Sequence, residues 1–412
     1  MTVEMKKYKL GDLIDVSRGK SLAGEFYATS GNLVRLTMGN FDYINNCFKQ
    51  NTSKDNLFFS GEVEEKFILN AGDIITPLTE QTPGLLGSTA RIPESGKYIQ
   101  SQDVALVRCK KDKLDDGFAY YLISSESVKK QLGAAAQQTK IRHTSPDKIK
   151  DCTVYIPEIS IQRKIGNILF TLDKRIENLR AQNRVLEQTA KTIYDYTFLQ
   201  CAGHQTTYNK TLNSNIPADW EVKKLGDLVE INDSSIKKNE FEYILYLETS
   251  GIVENKIEEI SSLKSSDAPS RAKRKVKDRT IVYSTVRPEQ RHFGILLNPP
   301  SNLIVSTGFV TIDSKKDVGD VSFFLYSFLS QDSTIQYLDT IAANSVSSYP
   351  SINPSDIENM FVACPDSKTL EKFNMNVTPL FQKQLVNTKQ IEALTTQRNT
   401  LLPLLMTGQV EV

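Results

Sequence analysis

Two heptad-patterned segments, each about 33 residues long, constrain this 412-residue chain more than any other feature. Their seam positions alternate steps of four and three residues, which is the spacing of a coiled coil. In the first segment these positions are Ile165, Leu169, Leu172, Ile176, Leu179, Asn183, Leu186, Ala190, Ile193 and Thr197. Each has a counterpart 208 residues later, at Phe373, Val377, Leu380, Gln384, Asn387, Ile391, Leu394, Arg398, Leu401 and Leu405. Polar residues at seam positions lower stability but fix the register of a helix pair.

The repeat continues outside the helices. Leu10-Gly11-Asp12-Leu13 recurs as Leu225-Gly226-Asp227-Leu228. Four residues shortly before the first helix also recur 208 positions later: Pro146, Ile149, Val154 and Pro157 as Pro354, Ile357, Val362 and Pro365. A solenoid repeats every 20–50 residues or so, so this is a duplicated domain. We expect a first domain at 1–157, a first long spacer helix at 158–200, a linker at 201–220, a second domain at 221–365, and a second long helix with its tail at 366–412.

Each domain mixes short strands with helices, which predicts an α+β fold. Buried strands are expected at 74–76 and 104–107 in the first domain, and at 281–283, 304–305 and 309–310 in the second. The three-to-four spacing of apolar residues from Phe118 to Leu132 predicts one helix, and another starts at Phe323. Ser145 before Pro146 is a helix-capping pattern.

A seam of this length cannot stay exposed on a lone helix, and its obvious mate is its own repeat. Helices that follow two equivalent domains pair most naturally antiparallel, which predicts a coiled coil with a pseudo-twofold axis. The rod would be about 50 Å long at 1.5 Å per residue, or roughly 15 base pairs of DNA, with a domain at each end. The alternative is that each helix packs only on its own domain.

Composition excludes several classes of protein. No stretch approaches the roughly 20 apolar residues that span a bilayer, and the first residues lack the apolar core of a signal peptide, so we expect a cytoplasmic protein without a membrane partner. The five cysteines are scattered singly and form no C-x-x-C pair. With only three histidines, all distant in sequence from the cysteines, no metal site is predicted.

Charge is uneven although the net charge is only +1. Between Lys264 and Arg291 there are nine basic residues against three acidic ones. Between Lys129 and Lys150 there are six against one. Each domain therefore has a basic segment, which fits either a solvated face or a nucleic-acid surface.

Two segments superficially resemble catalytic motifs. Asn298-Pro299-Pro300-Ser301 resembles the Asn-Pro-Pro-aromatic signature of amino-methyltransferases, but its fourth residue is Ser and no glycine-rich cofactor loop precedes it. A proline turn between strands is the favoured interpretation. Glu64-Glu65-Lys66 lacks an upstream Asp that would complete a nuclease site, and no Walker A loop is present. The sequence predicts no catalytic residues.

The chain resembles the specificity subunits of type I restriction–modification systems over nearly its whole length. The resemblance is carried by Lys9–Leu13 and Lys224–Leu228, by Ala268-Pro269-Ser270-Arg271-Ala272, Ser284-Thr285-Val286-Arg287-Pro288 and Ser306-Thr307-Gly308-Phe309, by Ile156–Ile165, and by the terminal Leu401–Gly408.

Two departures of the second copy from the first stand out. The Gly72-Asp73 turn is replaced by Asp278-Arg279, and Asp366-Ser367-Lys368 stands where the first copy has Glu158-Ile159-Ser160, without the pair Gln162-Arg163.

The resemblance implies two target-recognition domains that read the two halves of a bipartite site in double-stranded DNA, with the helix pair setting their spacing. It implies a non-catalytic subunit that binds two methylation subunits and, in the full complex, two restriction subunits. S-adenosylmethionine, ATP and Mg²⁺ would belong to those partners, so no cofactor is expected on this chain.

Candidate DNA contacts follow from the chemistry of base edges, since Arg suits guanine while Asn and Gln suit adenine. In the first domain they are Lys20, Thr37, Asn40, Gln81, Gln138, Lys140, Arg142 and His143. In the second they are Ser250, Arg271, Lys273, Arg274, Lys275, Arg287, Arg291, Ser347 and Tyr349. Two other functions remain open: a stand-alone DNA-binding regulator that dimerises through its coiled coil, and a scaffold with no role on DNA.

Overall fold

The structure is a computed structural model that describes residues 3–80, 84–135, 142–345 and 349–412. The chain forms two compact units. Unit 1 comprises Met1–Asn178 and Gln390–Val412, and unit 2 comprises Leu179–Lys389. Each unit therefore contains a globular α+β domain together with part of both long helices, whereas the sequence division treats the helices as separate segments.

Unit 1 contains two four-stranded sheets. Their orders are β10-β8-β12-β2 and β11-β4-β7-β3. The strands are β1 Lys6–Lys9, β2 Ile14–Arg18, β3 Tyr27–Ala28, β4 Val34–Arg35, β5 Phe41–Asp42, β6 Cys47–Phe48, β7 Phe58–Phe59, β8 Ile74–Pro77, β9 Thr79–Glu80, β10 Ala90–Arg91, β11 Tyr98–Ile99, β12 Val104–Cys109, β13 Arg142–His143 and β14 Thr153–Ile156. The helices are α1 Asp116–Ile123, α2 Glu126–Ala135, α3 Pro146–Lys150 and α4 Ile159–Tyr194, the last of which continues into unit 2.

Unit 2 also contains two four-stranded sheets. The sheet β25-β24-β27-β18 has the same strand order as β10-β8-β12-β2 of unit 1, whereas the order of β22-β19-β26-β23 differs from that of β11-β4-β7-β3. Its strands are β15 Thr206–Asn209, β16 Ser214–Pro217, β17 Glu221–Lys224, β18 Val229–Ile231, β19 Tyr243–Leu247, β20 Ile252–Val253, β21 Lys256–Ile257, β22 Ser261–Lys264, β23 Ala272–Lys275, β24 Thr280–Ser284, β25 Phe293–Leu296, β26 Leu303–Ser306, β27 Phe309–Ser314 and β28 Phe361–Cys364. The helices are α5 Leu225–Leu228, α6 Ser322–Leu329, α7 Asp332–Ala343, α8 Pro354–Glu358 and α9 Ser367–Met406. β15 and β16 form a hairpin inside the predicted linker.

The predicted buried strands are confirmed as β8, β12, β24, β26 and β27, and the core of each domain lies against them. The single helix predicted from Phe118 to Leu132 is wrong, because α1 ends at Ile123 and α2 begins at Glu126. The hydroxyl of Ser124 donates to the carbonyl of Tyr120 at 3.1 Å. Serine competes in this way with the backbone pattern of a helix, so it favours a helix end.

The Leu-Gly-Asp-Leu repeat forms the same joint in both units. Leu10 and Leu225 are fully buried, and their N–H groups donate to Cys152 and Met360 at 2.9 Å each. Asp12 and Asp227 each accept from the lysine N–H three residues earlier at 3.2 Å. The glycine of the motif lets a short helix approach closely. A Cβ at Gly11 would lie 3.0 Å from the Cβ of Lys150 at the end of α3, and a Cβ at Gly226 would lie 3.2 Å from the Cβ of Glu358 at the end of α8. The motif therefore locks the edge pairs β1–β14 and β17–β28.

The structure corrects the sequence alignment at the turn before β8 and β24. Gly72 and Arg279 are the equivalent residues. The N–H of Gly72 donates to the carbonyl of Ile92, just beyond the end of β10, and the N–H of Arg279 donates to the carbonyl of Leu296, the last residue of β25. Both have left-handed backbone, with φ of 89° and 65°. Arginine is strained in this region, where glycine is not. Its guanidinium pairs with Asp320 and lies over the ring of Phe323, which holds the turn in place.

The two long helices pair antiparallel within each unit, as predicted. In unit 2 the side-chain amide of Asn387 donates to Asn183 at 2.9 Å, and further along the rings of Tyr194 and Phe373 lie 6.2 Å apart. In unit 1 Arg398 contacts Asp173 at 2.8 Å, while Leu405 shares the domain core with Ile165. No predicted seam position is exposed. The first turns of α4 and α9 pack on the domain that precedes each helix, whereas their last turns pack in the core of the other domain, within the same unit. The alternative that each helix packs only on its own domain is therefore wrong.

The departure at the start of the helices has a structural cause. Gln162 is buried in unit 1, accepts from the N–H of Asp115 and donates to the carbonyls of Lys113 and Pro157. Its counterpart Leu370 is buried in the apolar core of unit 2 instead. Both residues therefore fix the start of a long helix, one by hydrogen bonds and the other by packing.

Candidate nucleic-acid interface

Five loops of unit 2 meet around Gly308, between β26 and β27. The carbonyl of Gly308 accepts from both the N–H and the hydroxyl of Thr285, at 2.9 and 3.0 Å. The N–H of Ile352 donates to the carbonyl of Thr285 at 2.9 Å, which joins the loop after α7 to the same place. A Cβ at position 308 would lie 2.7 Å from the guanidinium of Arg271 and 2.9 Å from Thr249. We call this set the Gly308 surface: Thr249, Ser250, Arg271, Thr285, Arg287, Gly308 and Tyr349.

Ion pairs divide the basic segment of unit 2 into two groups. Four of its nine cations contact carboxylates in the structure: Lys275 with Glu240, Lys277 with Asp313, Arg279 with Asp320, and Arg291 with Glu254 and Asp332. Within the described residues the remaining five have no ion pair: Lys264, Arg271, Lys273, Arg274 and Arg287. Unneutralised cations are the ones that can exchange water and counterions for DNA phosphates or bases.

Arg287 has the most defined environment of these five. Its backbone is left-handed, with φ of 50°, and its N–H donates to Pro350 at 3.1 Å. The guanidinium carbon lies 5.9 Å from the centre of the Tyr349 ring, which is 63% exposed. Pro288 follows and is buried. A strained backbone at an exposed arginine is a feature that functional sites often display.

A carboxyl pair lies close to this turn. Burial raises the pKa of Glu289, and a hydrogen bond shared with Asp339 acts in the same direction, while the charge of Arg287 opposes both. Asp339 belongs to α7, which packs on the turn that holds Arg287. Arg287 therefore lies near a carboxyl whose ionisation is disfavoured.

The structure brings together only some of the predicted contacts of the second domain. Ser250, Arg271, Arg287 and Tyr349 lie on the Gly308 surface, and Lys273 is exposed on the adjacent β23. Lys275 and Arg291 are held by carboxylates, and Arg274 is half-buried with its Nε atom inaccessible. Ser347 lies outside the described residues. Thr285, Thr249 and Gly308 were missed as candidates, although Thr285 and Gly308 belong to the runs that carry the family resemblance.

Two of the predicted contacts of the first domain, Thr37 and Asn40, are occupied by local structure. Asn40, which is 2% exposed, accepts from the N–H of Thr37 and donates to the carbonyl of Lys49. The hydroxyl of Thr37 accepts from Gly39 and Asn51. Both side chains therefore build a turn and do not face solvent as base readers would. Lys20 lies 3.7 Å from Glu64 and remains partly exposed.

Arg142 and His143 form β13, opposite Glu80 and Thr79 on β9. Glu80 is 2% exposed, and one of its oxygens accepts from the N–H groups of residues 84, 85 and 86 at 2.9–3.0 Å. Its other oxygen lies 3.5 Å from Arg142. Burial lowers the pKa of Lys129, and nearby Glu80 acts against this shift. His143 is exposed, while Gln81, Gln138 and Lys140 lie outside the described residues.

Glu80 and Arg287 occupy equivalent positions in the two domains. The N–H of Leu78 donates to the carbonyl of Asp103, just before β12, and the N–H of Thr285 donates to the carbonyl of Gly308, just before β27. The carbonyls of Leu78 and Thr285 in turn accept from the N–H groups of Thr144 and Ile352, respectively. Two positions after Leu78 is Glu80, and two positions after Thr285 is Arg287. One framework therefore carries a buried carboxylate in the first domain and an exposed guanidinium in the second.

Other kinds of site are not indicated. Across the described residues, no group of three or more His, Cys, Asp or Glu is placed to hold a metal ion, and none of the cysteines there forms a disulfide. Burial raises the pKa of the Cys152 thiol to about 11, which makes it a poor nucleophile. Asn298, in the Asn-Pro-Pro segment, lies in the turn between β25 and β26. No helix in the described part of the chain is long and apolar enough to cross a membrane.

Two copies of one α+β domain joined to two paired helices define a class of protein with a duplicated domain. Residues 2–188 match the family model described as type I restriction modification DNA specificity domain. The chain is 26% identical to the type I restriction enzyme MjaIX specificity subunit of Methanocaldococcus jannaschii, over 73% of this chain and 71% of that protein. It is 28% identical to the HindI specificity subunit of Haemophilus influenzae, over 42% and 37%.

A solved structure supports the fold over the full length. The type I restriction–modification S subunit from M. genitalium superposes with a TM-score of 0.64 and 16% identity, covering 98% of this chain and 96% of that one. The chain is therefore similar to type I restriction–modification specificity subunits, through the family model over residues 2–188 and through relatives that carry this name.

Proposed function

We propose that each of the two domains reads one half of a bipartite site in double-stranded DNA and that the helix pair sets the spacing between the halves. The domains are the segments predicted at 1–157 and 221–365. The observation that carries this proposal is the duplication itself: two domains that share the strand order of one four-stranded sheet, each joined to the same two antiparallel helices. Different side chains on this shared framework would read different half-sites.

The chain acts in this proposal as a non-catalytic subunit. It docks two methylation subunits and, in the full complex, two restriction subunits, which supply the chemistry. A net charge of +1 supports a subunit that shares its grip on DNA with partners, because a lone DNA-binding protein depends on neutralising many phosphates itself.

The decisive experiment reconstitutes the full chain with its cognate methylation subunit and sequences the adenines methylated in a random DNA library. We expect one consensus composed of two short half-sites and an unread spacer of fixed length. A stand-alone regulator would instead footprint duplex DNA tightly without the methylation subunit. A scaffold would show no salt-dependent DNA binding under either condition. Either of these results would contradict the proposal.

A further inference from the structure

We propose that Arg287, whose guanidinium carbon lies 5.9 Å from the centre of the Tyr349 ring, reads a guanine in the half-site of the second domain. This inference rests on the proposed function and adds one specificity-determining residue to it. Arginine is the side chain best suited to guanine, because its planar fork can donate two parallel hydrogen bonds to O6 and N7 in the major groove.

Availability is the first argument. The neighbouring Arg291 is held by Glu254 and Asp332, and Arg279 by Asp320. Among the described residues, the guanidinium of Arg287 contacts no carboxylate, so its donors can reach DNA without first breaking an ion pair. The side chain is exposed, whereas Arg274 on β23 is half-buried.

Pre-organisation is the second argument. A phosphate contact needs only a charge within reach, whereas reading a base requires the plane of the guanidinium to be fixed. Tyr349 offers a ring face to Arg287, and the backbone of Arg287 is fixed between its hydrogen bond to Pro350 and the buried Pro288. The isolated bridge between Val286 and Ser351 holds the two loops together. A left-handed φ at this position aims the side chain away from the direction that the preceding β24 would give it.

The position is also one at which the two domains differ in charge. Its equivalent in unit 1, Glu80, is buried and accepts three backbone N–H groups, so it cannot offer a donor to guanine. The framework therefore places a guanine reader in one domain and a structural carboxylate in the other. This difference gives a physical reason why one fold would read two different half-sites.

The test uses the full chain reconstituted with its methylation subunit, and it compares the methylated consensus of the wild type, Arg287→Gln and Lys264→Gln. Lys264 is the matched control, because it is another exposed cation of the same domain without an ion pair in the described part of the structure. The substitutions do not alter a backbone contact, and a thermal melt checks that each variant folds.

We expect the wild-type second half-site to contain a guanine at which Arg287→Gln lowers discrimination by roughly ten- to a hundred-fold. The first half-site and the spacer should be unchanged. Lys264→Gln should weaken binding evenly across sequences, with a shallower salt dependence and an unaltered consensus.

Three results would overturn the inference while leaving the proposed function intact. The first is a wild-type second half-site without guanine. The second is an Arg287→Gln variant with the wild-type consensus but lower overall affinity, which would identify a phosphate contact. The third is an Arg287→Gln variant that matches the wild type in both consensus and affinity. If the wild-type complex yields no bipartite consensus at all, the proposed function itself fails.

Discussion

At the scale of single residues, Gly308 controls where the guanidinium of Arg271 can lie. An added methyl group at this position would come within 2.7 Å of that guanidinium and 2.9 Å of Thr249. Both are side-chain ends that can move, so Gly308→Ala should fold while displacing Arg271 from the Gly308 surface. We expect weaker DNA binding by the reconstituted complex, by roughly three- to ten-fold for the loss of one charge-assisted contact.

The measurement is DNA affinity at fixed salt, together with the melting temperature. Gly133→Ala is the matched control, because it adds the same methyl group in α2, where nothing lies within 4 Å. It should leave DNA binding unchanged and raise stability slightly, since glycine is unfavourable inside a helix. Unchanged affinity in Gly308→Ala would show that Arg271 does not contact DNA.

Glu80 should be a stabilising residue of the first domain. Its buried carboxylate accepts three backbone N–H groups and faces Arg142. Glu80→Gln keeps the shape but removes the charge and turns one acceptor into a donor, so we expect a loss of about 1–3 kcal/mol in the free energy of unfolding. Urea denaturation measures it, with Glu126→Gln, which removes an exposed carboxylate of α2, as the control. Equal midpoints for the two variants would refute this role.

These residues also show why only part of the candidate site was predictable. The basic segment and the family resemblance pointed to Arg271 and Arg287. They could not separate these from Lys275 and Arg291, because the neutralising partners Glu240, Glu254 and Asp332 are 35 to 41 residues away in sequence. The role of Glu80 depends on backbone N–H groups, which have no sequence signature at all.

At the scale of secondary-structure elements, the helix pair depends on a polar layer in unit 1. Arg398 of α9 is 8% exposed and contacts Asp173 of α4, and the hydroxyl of Tyr121 donates to the other oxygen of Asp173 at 2.6 Å. Removing Arg398 leaves the half-buried carboxylate of Asp173 without its ion-pair partner. We expect Arg398→Leu to reduce the free energy of unfolding by about 2–4 kcal/mol, less than a fully buried pair because Asp173 is partly solvated.

A double-mutant cycle with Asp173→Leu separates the pair from general loss of packing. The double variant should be less destabilised than the sum of the two single variants, because no isolated charge remains. Lys174→Gln with Glu177→Gln is the matched control, an exposed ion pair on the same helix for which little coupling is expected. Additive effects for Arg398 and Asp173 would mean that the ion pair does not hold the helices together.

Among the elements, the long helices were the most predictable. Their seams repeat over more than four heptads, so local errors average out. The two-residue strands β3, β4 and β7 have no periodicity of their own and exist only because the sheet pairs them. The break between α1 and α2 was hidden because Ser124 and Ser125 do not disturb the three-to-four apolar spacing.

At the scale of the whole molecule, the duplication in structure exceeds the duplication in sequence. Outside the helices the sequence repeat is limited to a few short motifs, yet both domains share the strand order of one four-stranded sheet and the same joint at Leu-Gly-Asp-Leu. Hydrogen-bonded frameworks tolerate changes of side chain, as at Gly72 and Arg279. Surface loops can therefore diverge to read different DNA while the framework stays fixed.

The last prediction concerns the spacing of the half-sites. The variant carries one extra heptad in both helices, a copy of Ile176–Gln182 inserted after Gln182 and a copy of Thr388–Leu394 inserted after Asn387, which continues both seams. Seven residues add about 10 Å, or roughly three base pairs. Sequencing of methylated sites should show the same two half-sites with a spacer longer by about three base pairs.

The methylation rate of this variant should fall, because three base pairs also turn the duplex by roughly a third of a helical turn and present the second groove from a different direction. The matched control carries the heptad in α4 only. Its seven extra residues have no partner in α9, so it should melt at a lower temperature and give no uniform new spacing. An unchanged spacer in the double-insertion variant, or any changed base within a half-site, would show that the helices do not set the distance between the two readers.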